Sequence, residues 1–133
     1  MKCPITNTPL IVVERDQIEL DYSPAAKGIW FDAGELDLFF ESLGVDANLR
    51  HISSLPDYTT DEKAYKSPRT GKYMDKVNLG DENDPIIVDR DRDGLGLWFD
   101  AGELTRVFEK YAKKAPESEE EKIIKFLGET FSF

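Results

Sequence analysis

The sequence predicts an α+β fold in which two repeated β-hairpin-plus-helix units pack together, followed by an extra C-terminal helix. Three observations carry this expectation. The first is an internal duplication: Gly28-Ile29-Trp30-Phe31-Asp32-Ala33-Gly34-Glu35-Leu36 returns as Gly96-Leu97-Trp98-Phe99-Asp100-Ala101-Gly102-Glu103-Leu104, with eight of nine positions identical. Self-similarity of this kind marks a repeated structural unit. The second is strand-like alternation upstream, where Ile18, Leu20 and Tyr22 interleave with Glu19 and Asp21. The third is a helical stripe downstream. Leu36, Phe39, Phe40 and Leu43 fall at i, i+3, i+4 and i+7, and Leu104, Val107, Phe108 and Tyr111 repeat the spacing.

The elements follow in order. Cys3-Pro4-Ile5-Thr6 aligns with Ser67-Pro68-Arg69-Thr70, so each unit opens on a turn. In the first copy an apolar run over 10–13 and the alternating run over 18–22 form the hairpin. In the second, the strands fall at 74–79 and 86–88. They are joined by the acidic turn Gly80-Asp81-Glu82-Asn83-Asp84, which absorbs four extra residues. Pro85 suits a strand start, where a missing N–H is tolerated. Asp32 with Glu35, and Asp100 with Glu103, make capping patterns in which the Asp carboxylate would accept early helix amides. Gly44 would close the first helix. Gly34 and Gly102, inside the first helical turns, read as points of close packing against the hairpin. Trp30 and Trp98, placed identically before each helix, read as core or inter-repeat packing rather than ligand stacking.

The resulting organisation is a first repeat over 1–44, a connector over 45–66, a second repeat over 67–113, and a helix with an aromatic tail over 114–133. Residues 46–52 would form a helical turn in the connector. Pro116 stops the second helix, and 117–127 starts another, with Glu117, Glu119, Glu120 and Glu121 at its positive end.

Composition excludes several classes. At 133 residues the chain makes one domain or two small modules sharing a core. Seventeen Lys and Arg against 27 Asp and Glu leave a net charge of −10, which disfavours direct binding to nucleic acid. One Cys and one His permit neither an internal disulfide nor a four-ligand Cys/His zinc site. No run of 18 apolar residues exists to span a membrane, and the N-terminus lacks a signal-type apolar stretch, so the expected compartment is the cytoplasm. No phosphate loop, dinucleotide fingerprint or nucleophile–base set is legible, which argues against an enzyme. No local nucleophile motif surrounds Cys3, and His51 reads as a surface residue of the connector.

Each copy resembles the small bacterial zinc ribbon of the transcription-factor-IIB-type zinc-finger family. The resemblance rests on Trp-Phe-Asp-Ala-Gly-Glu-Leu at 30–36 and 98–104, with Cys3-Pro4 as the remnant of a Cys-Pro-x-Cys knuckle. It covers about 1–43 and 67–111. It implies a hairpin held by two knuckles, but the ligand positions are degenerate. They hold Cys3, Thr6, Ser23 and Ala26 in the first copy, and Ser67, Thr70, Asp91 and Gly94 (or Leu95) in the second. Zinc is therefore not expected. Inter-repeat packing would have to replace a stabilisation worth about 10 kcal/mol or more. The fold expected is a metal-free, zinc-ribbon-like pair.

A second motif competes for function. Asp89-Arg90-Asp91-Arg92-Asp93-Gly94, with Asp100 at position 12, has the start of a calcium loop, so Asp89, Asp91, Asp93 and Asp100 are candidate ligands for Ca²⁺ or Mg²⁺. Position 12 is Asp rather than Glu, and Leu97 offers no oxygen at position 9. Asp21 and Asp32 match Asp89 and Asp100 in the first copy, which gives those two a structural explanation as well. Phe131 and Phe133 either fold back on the core or anchor a partner or second subunit. The function expected is thus a non-catalytic protein-interaction module. The resemblance implies a link to transcription, and the acidity implies a partner with a basic surface; a homodimer is compatible. The alternative is a Ca²⁺- or Mg²⁺-binding module.

Overall fold

The duplication folds into two β-β-β-α halves that share a single six-stranded antiparallel sheet. This computed structural model describes residues 1–15, 17–42 and 55–112. The first half contains β1 (Ile11–Arg15), β2 (Ile18–Tyr22), β3 (Ile29–Asp32) and α1 (Glu35–Ser42). The second contains β4 (Asp75–Asn78), β5 (Ile87–Arg90), β6 (Gly96–Phe99) and α2 (Glu103–Ala112). The strand order is β1-β2-β3-β6-β5-β4, an open sheet with β1 and β4 at its edges. The helical turn expected over 46–52 with His51, the Gly44 cap, and the helix and tail expected over 114–133 with Phe131 and Phe133 fall outside the described residues.

Each half has three strands rather than the expected hairpin alone. The repeated Gly-x-Trp-Phe segment is itself a strand, and it is buried on both faces: Ile29, Trp30 and Phe31 are all in the interior, as are Gly96 to Phe99. A strand covered on both sides has no polar alternation to announce it. β3 and β6 pair with each other, and Trp30 stands opposite Trp98, its own repeat equivalent. A pseudo-twofold axis therefore passes through the tryptophan pair.

Alternation along these strands sends Trp30 and Trp98 to one face and their neighbours to the other. The helix face carries the larger core, in which Leu20, Ile29, Phe31, Val77, Val88, Leu97 and Phe99 pack under α1 and α2. The two helical stripes meet there as the sequence predicts: Phe108 lies 5.5 Å from Phe39 and 4.2 Å from Phe40 between ring centroids. The opposite face carries a smaller core of Cys3, Trp30, Met74 and Trp98, flanked by Leu10, Ala26 and Tyr65.

The glycines divide differently from the expectation. Gly34 and Gly102 have φ of +89° and +83°, and a Cβ at either would meet nothing within 4 Å, so conformation and not close packing requires them. Close packing falls on Gly28 and Gly96 instead. A Cβ at Gly28 would sit 2.3 Å from Trp98 Cζ2, and one at Gly96 would sit 2.6 Å from Trp30 Cζ2.

The capping pattern is also only half as expected. Glu35 Oε1 accepts the Asp32 N–H at 2.8 Å, and Glu103 Oε1 accepts the Asp100 N–H at 2.6 Å. The Asp carboxylates, however, accept the indole N–H groups of Trp30 and Trp98, each at 2.8 Å. A buried indole N–H needs an acceptor more than an exposed helix amide does.

Candidate functional site

Four turns stand at the positions that the resemblance would make metal knuckles. The first three close alike: the carbonyls of Cys3, Ser23 and Ser67 accept the N–H groups of Asn7, Lys27 and Gly71 at 2.9, 2.8 and 2.9 Å. Those three donors have φ of +59°, +62° and +74°. The fourth is one residue tighter, with Asp91 C=O accepting Gly94 N–H at 2.9 Å. The first side chain of each turn also accepts a local amide: Cys3 Sγ from Thr6 at 3.5 Å, Ser23 Oγ from Ala26 at 3.1 Å, Ser67 Oγ from Arg69 at 3.2 Å, and Asp91 Oδ1 from Asp93 at 2.8 Å.

The turns meet in pairs across each half. Cys3 meets Ser23: burial alone would raise the thiol, but hydrogen bonds from Ser23 and Thr6 outweigh it and hold the thiol below its ordinary value. In the second half Thr70 Oγ1 donates to Asp91 Oδ2 at 3.0 Å. Burial pushes Asp91 upward, but hydrogen bonds from Ser67, the Asp93 amide and Thr70 prevail and keep it below the usual carboxylate range. Hydroxyl donors thus fill the acceptor sites of a buried carboxylate. Ala26 and Gly94 bring no side-chain donor or acceptor to these junctions.

Three acids gather at the head of each helix. In the first half Asp21, Asp32 and Glu35 place carboxylate oxygens within 4.8 Å of one another. Arg69 crosses from the second half to this cluster, its Nε donating to Asp32 Oδ1 at 2.7 Å and its Nη2 to Oδ2. That guanidinium holds Asp32 below the usual range, while burial pushes Glu35 up to about 7 and raises Asp21. The equivalents in the second half are Asp89, Asp100 and Glu103. There the cation is Lys76, whose Nζ lies 2.6 Å from buried Asp89 Oδ1. Burial still pushes Asp89 to about 6 and Glu103 to about 8.

The four calcium-loop candidates are directed to separate partners. Asp89 faces Lys76, and Asp91 faces Thr70 and its own turn. Asp93 accepts Lys72 Nζ at 3.0 Å, and Asp100 accepts the Trp98 indole. Among the described residues, the acid trio close enough to share an ion is the one in the first half, not this set.

On the tryptophan face, the opening turns of the two halves flank a groove of about 650 Å³. Lys2 and Ile5 line one side, and Lys63, Tyr65, Lys66 and Tyr73 line the other, with Cys3 among the buried lining residues. Lys63 Nζ stands 5.6 Å from the Tyr65 ring centroid, and Lys66 Nζ stands 5.5 Å from that of Tyr73. Among the described residues no Asp or Glu lines the groove, in a chain that carries 27 of them. Sequence reasoning passed over these residues because Lys63, Tyr65 and Lys66 fall in the connector. Their only signal is a local Lys-Ala-Tyr-Lys run without periodicity.

The connector also fixes that wall to the sheet. Tyr58 N–H donates to Lys76 C=O at 2.7 Å, and Met74 N–H donates to Tyr65 C=O at 2.8 Å. Arg90 reaches the same segment, donating to Leu55 C=O at 2.5 Å and Asp57 Oδ1 at 2.7 Å. No helix among the described residues is long and apolar enough to cross a membrane. No protein-family model, curated protein or solved structure matches the chain, so function is read from this geometry.

Proposed function

We propose that the chain is a non-catalytic protein-interaction module, a zinc-less ribbon pair that receives an extended partner segment in the groove between its two opening turns. The observation that carries this reading is the groove's lining of lysines and tyrosines, free of carboxylates among the described residues, on a molecule whose net charge is −10. Its volume lies within the usual range for a binding cleft. Tyrosine faces beside lysine heads suit a segment with carboxylates and aromatic or apolar side chains. The partner segment is therefore acidic. A basic partner, the expectation from net charge, would meet the acidic surface outside the groove. The link to transcription comes from the family resemblance alone. The Ca²⁺ or Mg²⁺ reading lacks comparable support, since its four carboxylates are already engaged with separate donors.

The test is titration of the full chain with synthetic peptides rich in Glu and Phe, and with matched peptides carrying Lys for Glu. Saturable binding of the acidic series, weakened by salt and lost in a Lys63→Glu/Lys66→Glu variant, is expected. Binding of the basic series alone, or acidic binding indifferent to the variant, would overturn the groove as the docking site.

A further inference from the structure

The groove carries apolar and aromatic side chains on both walls that water still reaches: Ile5 is 41% exposed on one side and Tyr73 51% exposed on the other. Lys2, Lys63 and Lys66 stand beside them, and no carboxylate among the described residues lines the groove. An acidic, aromatic stretch of chain complements such a surface. The protein carries one of its own beyond α2. In Gly128-Glu129-Thr130-Phe131-Ser132-Phe133, the residues Glu129, Phe131 and Phe133 recur at every second position. An extended backbone sets all three on one face and leaves the small residues Gly128, Thr130 and Ser132 on the other.

We infer that segment 128–133 of the same chain seats in this groove and competes there with an external partner, Phe131 and Phe133 covering the Ile5 and Tyr73 walls and Glu129 meeting the lysines. The inference rests on the groove reading proposed above and names what regulates that site.

The connection is long enough. From Ala112, the last residue of α2, to Glu129 the chain covers about 55 Å when extended, and about 40 Å with the helix that the sequence predicts over 117–127. A chain of this length folds to roughly 35 Å across, so the tryptophan face lies within reach of a helix on the other face. Tethering also favours this segment over the same segment of a second copy. A linker of this kind presents it at an effective concentration on the order of millimolar, well above that of a second molecule in dilute solution.

Two measurements on the full chain test the inference. In the first, Ser132→Cys carries a nitroxide, and the wild-type chain treated alike is the control for buried Cys3. The amide signals of Ile5, Lys66 and Tyr73 should lose the most intensity, and that of Leu38, exposed on α1 across the sheet, should be spared. Adding Lys63→Glu/Lys66→Glu should restore the groove signals. No loss at the groove, or greater loss at Leu38, overturns the inference. So does an equal loss in an unlabelled copy mixed with labelled chain, because a second molecule would then supply the segment.

In the second, the synthetic peptide rich in Glu and Phe is titrated into Phe131→Ala/Phe133→Ala, which should bind it at least tenfold more tightly than the wild type does. Glu129→Lys, which keeps both rings, should also tighten the peptide. Equal affinities in all three proteins overturn the inference and leave the docking reading standing. A peptide that binds none of them, with the groove signals still lost to the nitroxide, supports the seating of segment 128–133 and overturns docking by a partner.

Discussion

At the head of α2, the Glu103 carboxylate accepts the Asp100 backbone N–H while the Asp100 carboxylate accepts the Trp98 indole N–H. Burial raises Glu103 to about 8, Glu35 to about 7 and Asp89 to about 6. An unfolded Glu titrates at about 4.3 and an unfolded Asp at about 3.9. Between those values and the folded ones, the native state holds protons that the unfolded chain has released. These three groups therefore stabilise the fold most at low pH and lose that contribution as pH rises toward 8. Asp32 and Asp91 are shifted down, so their contribution has the opposite sign and is lost only in acid. Thermal unfolding from about pH 5 to 8 should show a declining midpoint. In Glu103→Gln, which keeps the acceptor for the Asp100 amide, the upper part of that decline should flatten. Parallel profiles for the two proteins would refute the assignment. The Asp-x-x-Glu spacing was legible in the sequence; the destination of the Asp carboxylate was not, because it depends on an indole ring two residues back along a strand.

Among the elements, Gly-x-Trp-Phe shows how a repeated motif can be recognised correctly and placed wrongly. Its recurrence is plain in the sequence, but the strand it forms pairs with its own copy, and each glycine yields its side-chain space to the other half's tryptophan. In the Ala-Gly-Glu-Leu part that follows, glycine serves its backbone angle instead. The two kinds of glycine should respond differently to alanine. Gly28→Ala forces a methyl against Trp98 and the Phe99 carbonyl, and should cost about 2–3 kcal/mol in urea unfolding. Gly34→Ala meets no neighbour and is penalised only for its φ of +89°, about 1–2 kcal/mol. Native tryptophan emission should shift in Gly28→Ala and stay unchanged in Gly34→Ala. A shift in both, or in neither, would contradict the division. The turns at 3–7, 23–27, 67–71 and 91–94 were visible as aligned positions. How side chains complete them was not, since Asp91 with Thr70 and Cys3 with Ser23 meet only after the strands have brought distant turns together.

Across the molecule, the halves are joined by the Trp30–Trp98 pairing, by the Phe39, Phe40 and Phe108 cluster, and by Arg69 reaching across to Asp32. With one sheet and one main core, they should unfold together. Far-ultraviolet circular dichroism and tryptophan fluorescence are expected to report a single coincident transition. Phe108→Ala should lower the stability of that one transition by about 3–5 kcal/mol without splitting it. Two separated transitions would show that the halves are independent. That two like units exist, which faces of their helices are apolar, and that the molecule is acidic are all written in the chain itself, because periodicity and charge are local properties. Folding in three dimensions settles the rest: the units share one sheet, a cation crosses from one half to the other, and lysines and tyrosines from separated segments line one groove. Those features depend on contacts between residues far apart in sequence, which no local pattern encodes.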